Sequence, residues 1–204
     1  MAWREDPARC RLAEEAARRA AAGLEAGPVL AGLRRLTIAG LLADGPAPRR
    51  SQDLAGIARA VCGAADQAAR RRPGWLYAMV PPDDLLPVAV HRTLLQAAML
   101  SALRGVLGCP GARGVLQCEA AGPGVRLRFQ GGRPDPDAAD LWRRCAREGG
   151  GAAAFGGGPV FTAAAWLPLG KAPPPPAPDA RDLLRDRYSL VYQFLGEWSA
   201  DPGR

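Results

Sequence analysis

The chain has 204 residues, of which 48% are hydrophobic and 23% charged, the balance of a globular protein able to bury one good core with a small helical appendage. No apolar run reaches the length of about eighteen residues that a membrane span needs, and MAWREDPARC at the start lacks the apolar centre of a signal peptide, so a cytoplasmic protein is expected. The net charge of +7 points to anionic partners, but Lys171 is the only lysine among 27 basic residues and the arginines accompany abundant Ala, Gly and Pro, as a GC-rich coding bias would produce. The dense basic run Arg70, Arg71 and Arg72 is kept as a possible anion-binding patch; a nucleic-acid partner is not expected on composition alone.

From Pro7 to Ala26 the sequence is alanine-rich with Glu14, Glu15, Arg18 and Arg19 interspersed, which favours helix until Gly27-Pro28. VLAGLRRLTIAGLLADG then places Val29 or Leu30, Leu33, Leu36 or Thr37, Gly40 and Leu41 along a stripe, so residues 1–48 read as a helical hairpin with an adhesive face. Two helices bury little alone, so the stripe needs a second copy or the rest of the chain. After the linker PAPRR, Ser51 is expected to cap a helix with Asp53 in its first turn and Leu54, Ile57, Val61, Ala65 and Ala68 inward. WLYAMV, Trp75 to Val80, reads as a buried strand, followed after PPDD by a helix from about Pro87 to Leu107 with Arg92, Thr93, Gln96 and Arg104 on its solvated arc.

GVLQCEAA and GVRLRFQG form a strand hairpin turned at Gly122-Pro123-Gly124, with Val125, Leu127 and Phe129 alternating against Arg126 and Arg128. A helix is predicted from Asp137 to Glu148 with Leu141, Trp142 and Cys145 inward. GAAAF and PVFTAAAWLPL, separated by Gly156 to Gly158, have hairpin spacing; a phosphate-cradling loop would need a Lys and a following helix, and neither is present. KAPPPPAP is a stiff spacer over 171–178, and residues 179–204 carry Leu184, Tyr188, Val191, Leu195 and Trp198 at the spacing of one amphipathic helix. The five cysteines, Cys10, Cys62, Cys109, Cys118 and Cys145, show no metal or disulfide spacing and read as reduced packing residues.

This order of elements resembles the sensor histidine kinases over roughly Val29 to Gly170. RRLTIAGLLADGPAPRRSQDLAGIARAVCGAADQAA is similar to dimerisation helices running into an ATP-binding domain, and HRTLLQAAMLSALRGVL to the helix bearing the Asn-rich motif. VRLRFQGGRPD is similar to the strand before the Asp-x-Gly motif, and LWRRCAREGGGAAAFGGGPVFTAAAWLPLG to the closing helix and hairpin. The resemblance implies an α+β fold, a two-layer α/β sandwich of the histidine-kinase ATPase type over 49–170, with the helical hairpin before it and the amphipathic helix after it. It also implies a homodimer through the N-terminal helices, and a response regulator or a kinase as partner.

Against that pattern, Ser101 stands where the family has a metal-holding Asn and Ala97 one turn earlier where another Asn is common, and Gly131 and Gly132 follow Gln130 where a carboxylate meets adenine. These four positions outline a vestigial nucleotide pocket. Losing a carboxylate and a metal ligand costs roughly 3–6 kcal/mol, or about two to four decades of affinity. The space between Arg133 and Leu141 is too short for a lid. The only histidine, His91, opens the long helix, so the usual phosphoacceptor is missing. The expectation is a catalytically degenerate, kinase-like protein acting through protein contacts, with no catalytic residue, no cofactor and no metal. Two alternatives stand beside it: an active divergent kinase using Mg-ATP through Asp135, Asp137 or Asp140, and an arginine-rich nucleic-acid binder.

Overall fold

The computed structural model describes residues 6–43, 49–69, 75–79, 85–109, 111–156 and 160–198, with 69 and 75–79 described as backbone. Asp6 starts the chain's first helix, α1 (Pro7–Ala21), by accepting from Ala8 N at 2.9 Å, which satisfies an end-of-helix donor. A turn leads to α2 (Gly27–Ala43), and the two form the predicted hairpin. Gly27-Pro28 therefore opens α2, consistent with proline's tolerance in a first helical turn.

Residues Arg50–Asp53 form β1, so Ser51 lies in a strand and helix α3 (Leu54–Ala69) begins three residues later than its predicted cap. Asp53 is buried, and its Oδ1 accepts from Leu86 N at 3.3 Å. Strand β2 (Trp75–Met79) falls where the apolar run placed it. The long helix does not start at Pro87: Pro87–Val90 is β3, antiparallel to β1 with Ser51 opposite Ala89, and α4 covers Arg92–Gly108. Pro87 suits the first residue of an outer strand, and Val88 and Val90 point inward on either side of exposed Ala89.

Strands β4 (Arg113–Ala121) and β5 (Gly124–Gly131) form the expected hairpin, turning at Gly122 with a φ of 58° that favours glycine. Helix α5 (Ala138–Glu148) and the hairpin β6 (Ala152–Gly156) and β7 (Phe161–Pro168) complete the sheet. Its order is β2-β4-β5-β7-β6, parallel between β2 and β4 and antiparallel elsewhere. Leu116, Cys118, Val125, Leu127, Phe129, Ala163, Ala165 and Leu167 face α3, α4 and α5, while Arg126, Arg128 and Gln130 face outward. This is a two-layer α/β sandwich. Among the described residues no helix is long and apolar enough to cross a membrane.

The tail departs from the single predicted helix. It forms α6 (Ala180–Arg185) and α7 (Leu190–Leu195). The Asp186 carboxylate accepts from Tyr188 N at 2.9 Å, and Ser189 Oγ accepts from Tyr192 N at 2.9 Å, so local side chains end one helix and cap the next. Both helices pack on the same chain. Leu184, Leu190, Val191, Phe194, Leu195 and Trp198 share one core with Ile38 of α2 and the interior of the sandwich.

The adhesive stripe of α2 is partly covered by this tail. Leu30 packs with Ala16 and Tyr192, Thr37 Oγ1 donates to Gln193 Oε1 at 2.9 Å, and Arg34 Nη1 donates to Gln193 O at 3.3 Å. Exchanging fully buried Phe194 for Ala should cost about 3–5 kcal/mol. Calorimetry should register that as a lowered melting temperature of the whole domain; a melting temperature unchanged from the parent would mean the tail is not part of the core.

Candidate functional site

Helix α4 is buried along nearly its whole length, including Gln96, Ala97 and Ser101, so the arc assigned to solvent is largely covered. His91 occupies its N-cap position, half-buried, instead of the first helical turn. Of the two arginines of α4, Arg92 is half-buried at its start and Arg104 has a side chain 19% exposed.

The connection from β5 to α5, residues 132–137, comes down directly onto α4. Asp135 N donates to Ser101 O at 3.2 Å. A Cβ added to Gly105, one turn further along, would overlap the Arg133 carbonyl oxygen. At Gly132 an added Cβ would lie 3.3 Å from Val106 Cα. Ser101 and Gly132 are thus both drawn into the contact between α4 and this connection. Gly131 is pressed the other way, where an added Cβ would stand 2.6 Å from Gly114 Cα on β4, and Ala97 is fully buried a turn before Ser101. Arg70, Arg71 and Arg72 lie outside the described residues.

Trp142 of α5 donates its indole N–H to Ala98 O at 2.7 Å, and Ser101 Oγ donates to the same oxygen at 2.8 Å. One backbone carbonyl thereby satisfies two buried side-chain donors, and the Trp142 bond ties α5 to α4.

Beside this contact lies a charged cluster drawn from four parts of the chain. Arg104 Nη1 reaches Asp135 Oδ1 at 3.2 Å, Arg104 Nη2 reaches Glu197, and the guanidinium lies 5.0 Å from the Trp198 ring centroid. Arg34 sits near it, with its guanidinium 5.8 Å from the Phe194 ring. Burial lowers the Arg34 pKa from its ordinary value, and the neighbouring Arg104 adds to the effect. Burial raises the Asp135 carboxyl above its ordinary 3.8, while Arg104 and Arg34 pull it back.

Of this cluster the sequence singled out Asp135 alone, as a candidate nucleotide carboxylate of the active-kinase alternative, and neither Arg34, Arg104 nor Glu197. Its partners are far apart along the chain, and no local spacing signals them. Arg104 read as surface, and Glu197 as one charge on a helix that is not continuous. Of the other carboxylates weighed for a nucleotide, Asp140 pairs with Arg143 at 2.6 Å on the surface of α5, and Asp137 holds its N-cap position. Cys62 and Cys145 are buried, with thiols pushed up to about 12, and burial raises Cys118 too, so these three are packing groups and not nucleophiles. Among the described residues no group of three His, Cys, Asp or Glu side chains is placed to hold a metal ion.

Full-length ShkA, solved with AMPPNP, matches 72% of this chain and 37% of its own at 18% identity, with a TM-score of 0.50. The ATP-binding domain of PrrB from Mycobacterium tuberculosis matches 61% of this chain and all of its own at 20% identity and a TM-score of 0.46. The catalytic domain of histidine kinase ThkA matches 59% and 97% at 12% identity and 0.48. The fold is that of a histidine-kinase ATP-binding domain. No protein-family model and no curated protein matches the chain. Within the histidine-kinase-type fold, α4 is the helix on which the resemblance set the Asn-rich motif, and residues 132–137 follow the strand it set before the Asp-x-Gly motif.

Two changes probe this region. Gly105→Ala gains helix propensity of about 1 kcal/mol, but the clash is with backbone and cannot be relieved by a rotamer. A net destabilisation of about 1–3 kcal/mol is expected in chemical denaturation. For Asp135, a raised native pKa means that the folded state holds more protons than the unfolded chain just above pH 3.8. Its own contribution to stability therefore falls as pH rises through that window. Melting temperatures measured across it should show that downward component in the parent and its loss in Asp135→Asn.

Proposed function

We propose that this is a catalytically degenerate histidine-kinase-like protein that works through protein contacts in signalling. In this reading residues 49–170 keep the ATPase-type scaffold, 1–48 are a dimerisation-like hairpin, 171–178 a spacer, and 179–204 a terminal helical segment. Ala97, Ser101, Gly131 and Gly132 mark a vestigial nucleotide pocket. The observation that carries the reading is the seating of the Arg133 carbonyl on Gly105 and of Asp135 N on Ser101 O. Backbone packed against the helix at this place leaves a metal-bound triphosphate no room on that surface of α4.

The side chains support the same reading. Ser101 spends its hydroxyl on Ala98 O, and Asp135 and Glu197 are engaged by Arg104. Neither an adenine-facing carboxylate nor a metal-binding amide stands at the positions where the resemblance calls for them. With His91 at the N-cap of α4 in the sandwich, the hairpin has no phosphoacceptor histidine. Signalling then passes through surfaces, with a second copy, a response regulator or an intact kinase as the class of partner. The protein acts in the cytoplasm on this reading.

Isothermal titration of the full chain with Mg-ATP tests the proposal. No saturable heat up to millimolar nucleotide is expected. A micromolar dissociation constant, or phosphate transfer from labelled ATP to the chain, would overturn it in favour of a divergent active kinase.

A further inference from the structure

The five-stranded sheet ends at β6, which among the described residues pairs with β7 and no other strand. Sheet edges are normally guarded by charge, proline or a bulge, because their unpaired N–H and C=O groups are a template for another strand. Ala152-Ala153-Ala154-Phe155-Gly156 has neither charge nor proline. On the open face, Ala152, Ala154 and Gly156 are exposed and small. On the helix side, Ala153 and Phe155 are half-buried, with the Arg143 guanidinium of α5 at 4.8 Å from the Phe155 ring centroid.

We propose that β6 pairs antiparallel with β6 of a second copy of this chain, joining two sheets across a two-fold axis. The strand is self-complementary in shape. Pairing about Ala154 sets Ala152 opposite Gly156 and Ala153 opposite Phe155 of the other copy, so each ring meets a methyl group and no two bulky groups collide.

The helix above is self-complementary in charge. Asp140, paired with Arg143 of its own chain, and Arg147 are exposed on α5, acidic near its start and basic near its end, where half-buried Glu148 follows. The same two-fold axis runs α5 antiparallel to its counterpart, bringing the Asp140 end of one toward the Arg147 end of the other. The α2 stripe expected to make the dimer is instead partly occupied by Tyr192 and Gln193 of its own tail. This surface goes beyond the degenerate-kinase reading, and nucleotide binding has no bearing on it.

Sedimentation of the full chain should show a reversible dimer at micromolar concentration. Ala154→Lys sets two ammonium groups opposite each other at the axis and should raise the dissociation constant about tenfold or more, with thermal melting of the protomer unchanged. Arg147→Glu should weaken the dimer as well, more strongly at low salt than at high salt.

If Ala154→Lys does not fold, Ala154→Cys decides. Cα atoms directly opposite in an antiparallel pair are about 4.5–5.5 Å apart, within disulfide reach, so oxidation should trap a covalent dimer above the parent level. Ala39→Cys, on the exposed side of α2, should not. A parent chain that stays monomeric, a dimer indifferent to Ala154→Lys, or one trapped only through Ala39→Cys overturns the proposal.

Discussion

A helix buried along nearly its whole length has to place its polar side chains with little access to bulk water, and in α4 Ser101 and Arg104 do this through the helix backbone and through neighbouring segments. Ser101 returns its hydroxyl to Ala98 O, the same oxygen receives the Trp142 indole, and Arg104 is neutralised by carboxylates from two distant segments. An unpaired donor in such a place costs about 1–3 kcal/mol, so these contacts set the position of α5, of the β5–α5 connection and of the tail relative to one helix. The sheet below and the hairpin beside it are arranged around that fixed reference.

Small side chains are what allow the approach. Glycine at 105 lets backbone touch backbone, and serine at 101 keeps its polar group within the helix. Residues that read as losses when compared with a nucleotide-binding helix are, in packing terms, the residues that let a short connection settle directly on α4. The scaffold and the interior contact are therefore compatible, and the proposed role as a contact protein follows from an interior that is already occupied.

The strongly patterned elements were legible. β5 alternates apolar and charged residues, α5 carries Leu141, Trp142 and Cys145 on one side, and the glycine-rich stretch near the end of the sheet is the hairpin that its spacing predicted. The short strands were not. Arg-Ser-Gln-Asp has no strand signature and becomes β1 only because Pro87–Val90 lies opposite it. The helical period of the tail was real, but Asp186 and Ser189 turn the backbone locally, a choice that a hydrophobic stripe does not encode. Of the four pocket positions, α4 and the connection bring Ser101 and Gly132 into one contact, and no pattern along the chain foretold Arg104 with Glu197, whose partnership depends on tertiary placement.

The bond from Thr37 to Gln193 spans 156 residues. During synthesis the hairpin emerges long before the residues that cover it. Leu30, Thr37 and the Arg34 guanidinium must wait for the tail that covers them while nearly all of the sandwich is made, and contacts so distant in sequence are slow to form. The ribosome-bound nascent protein thus passes through a long interval in which α2 displays an uncovered face, and holding factors that recognise apolar surface would meet it there.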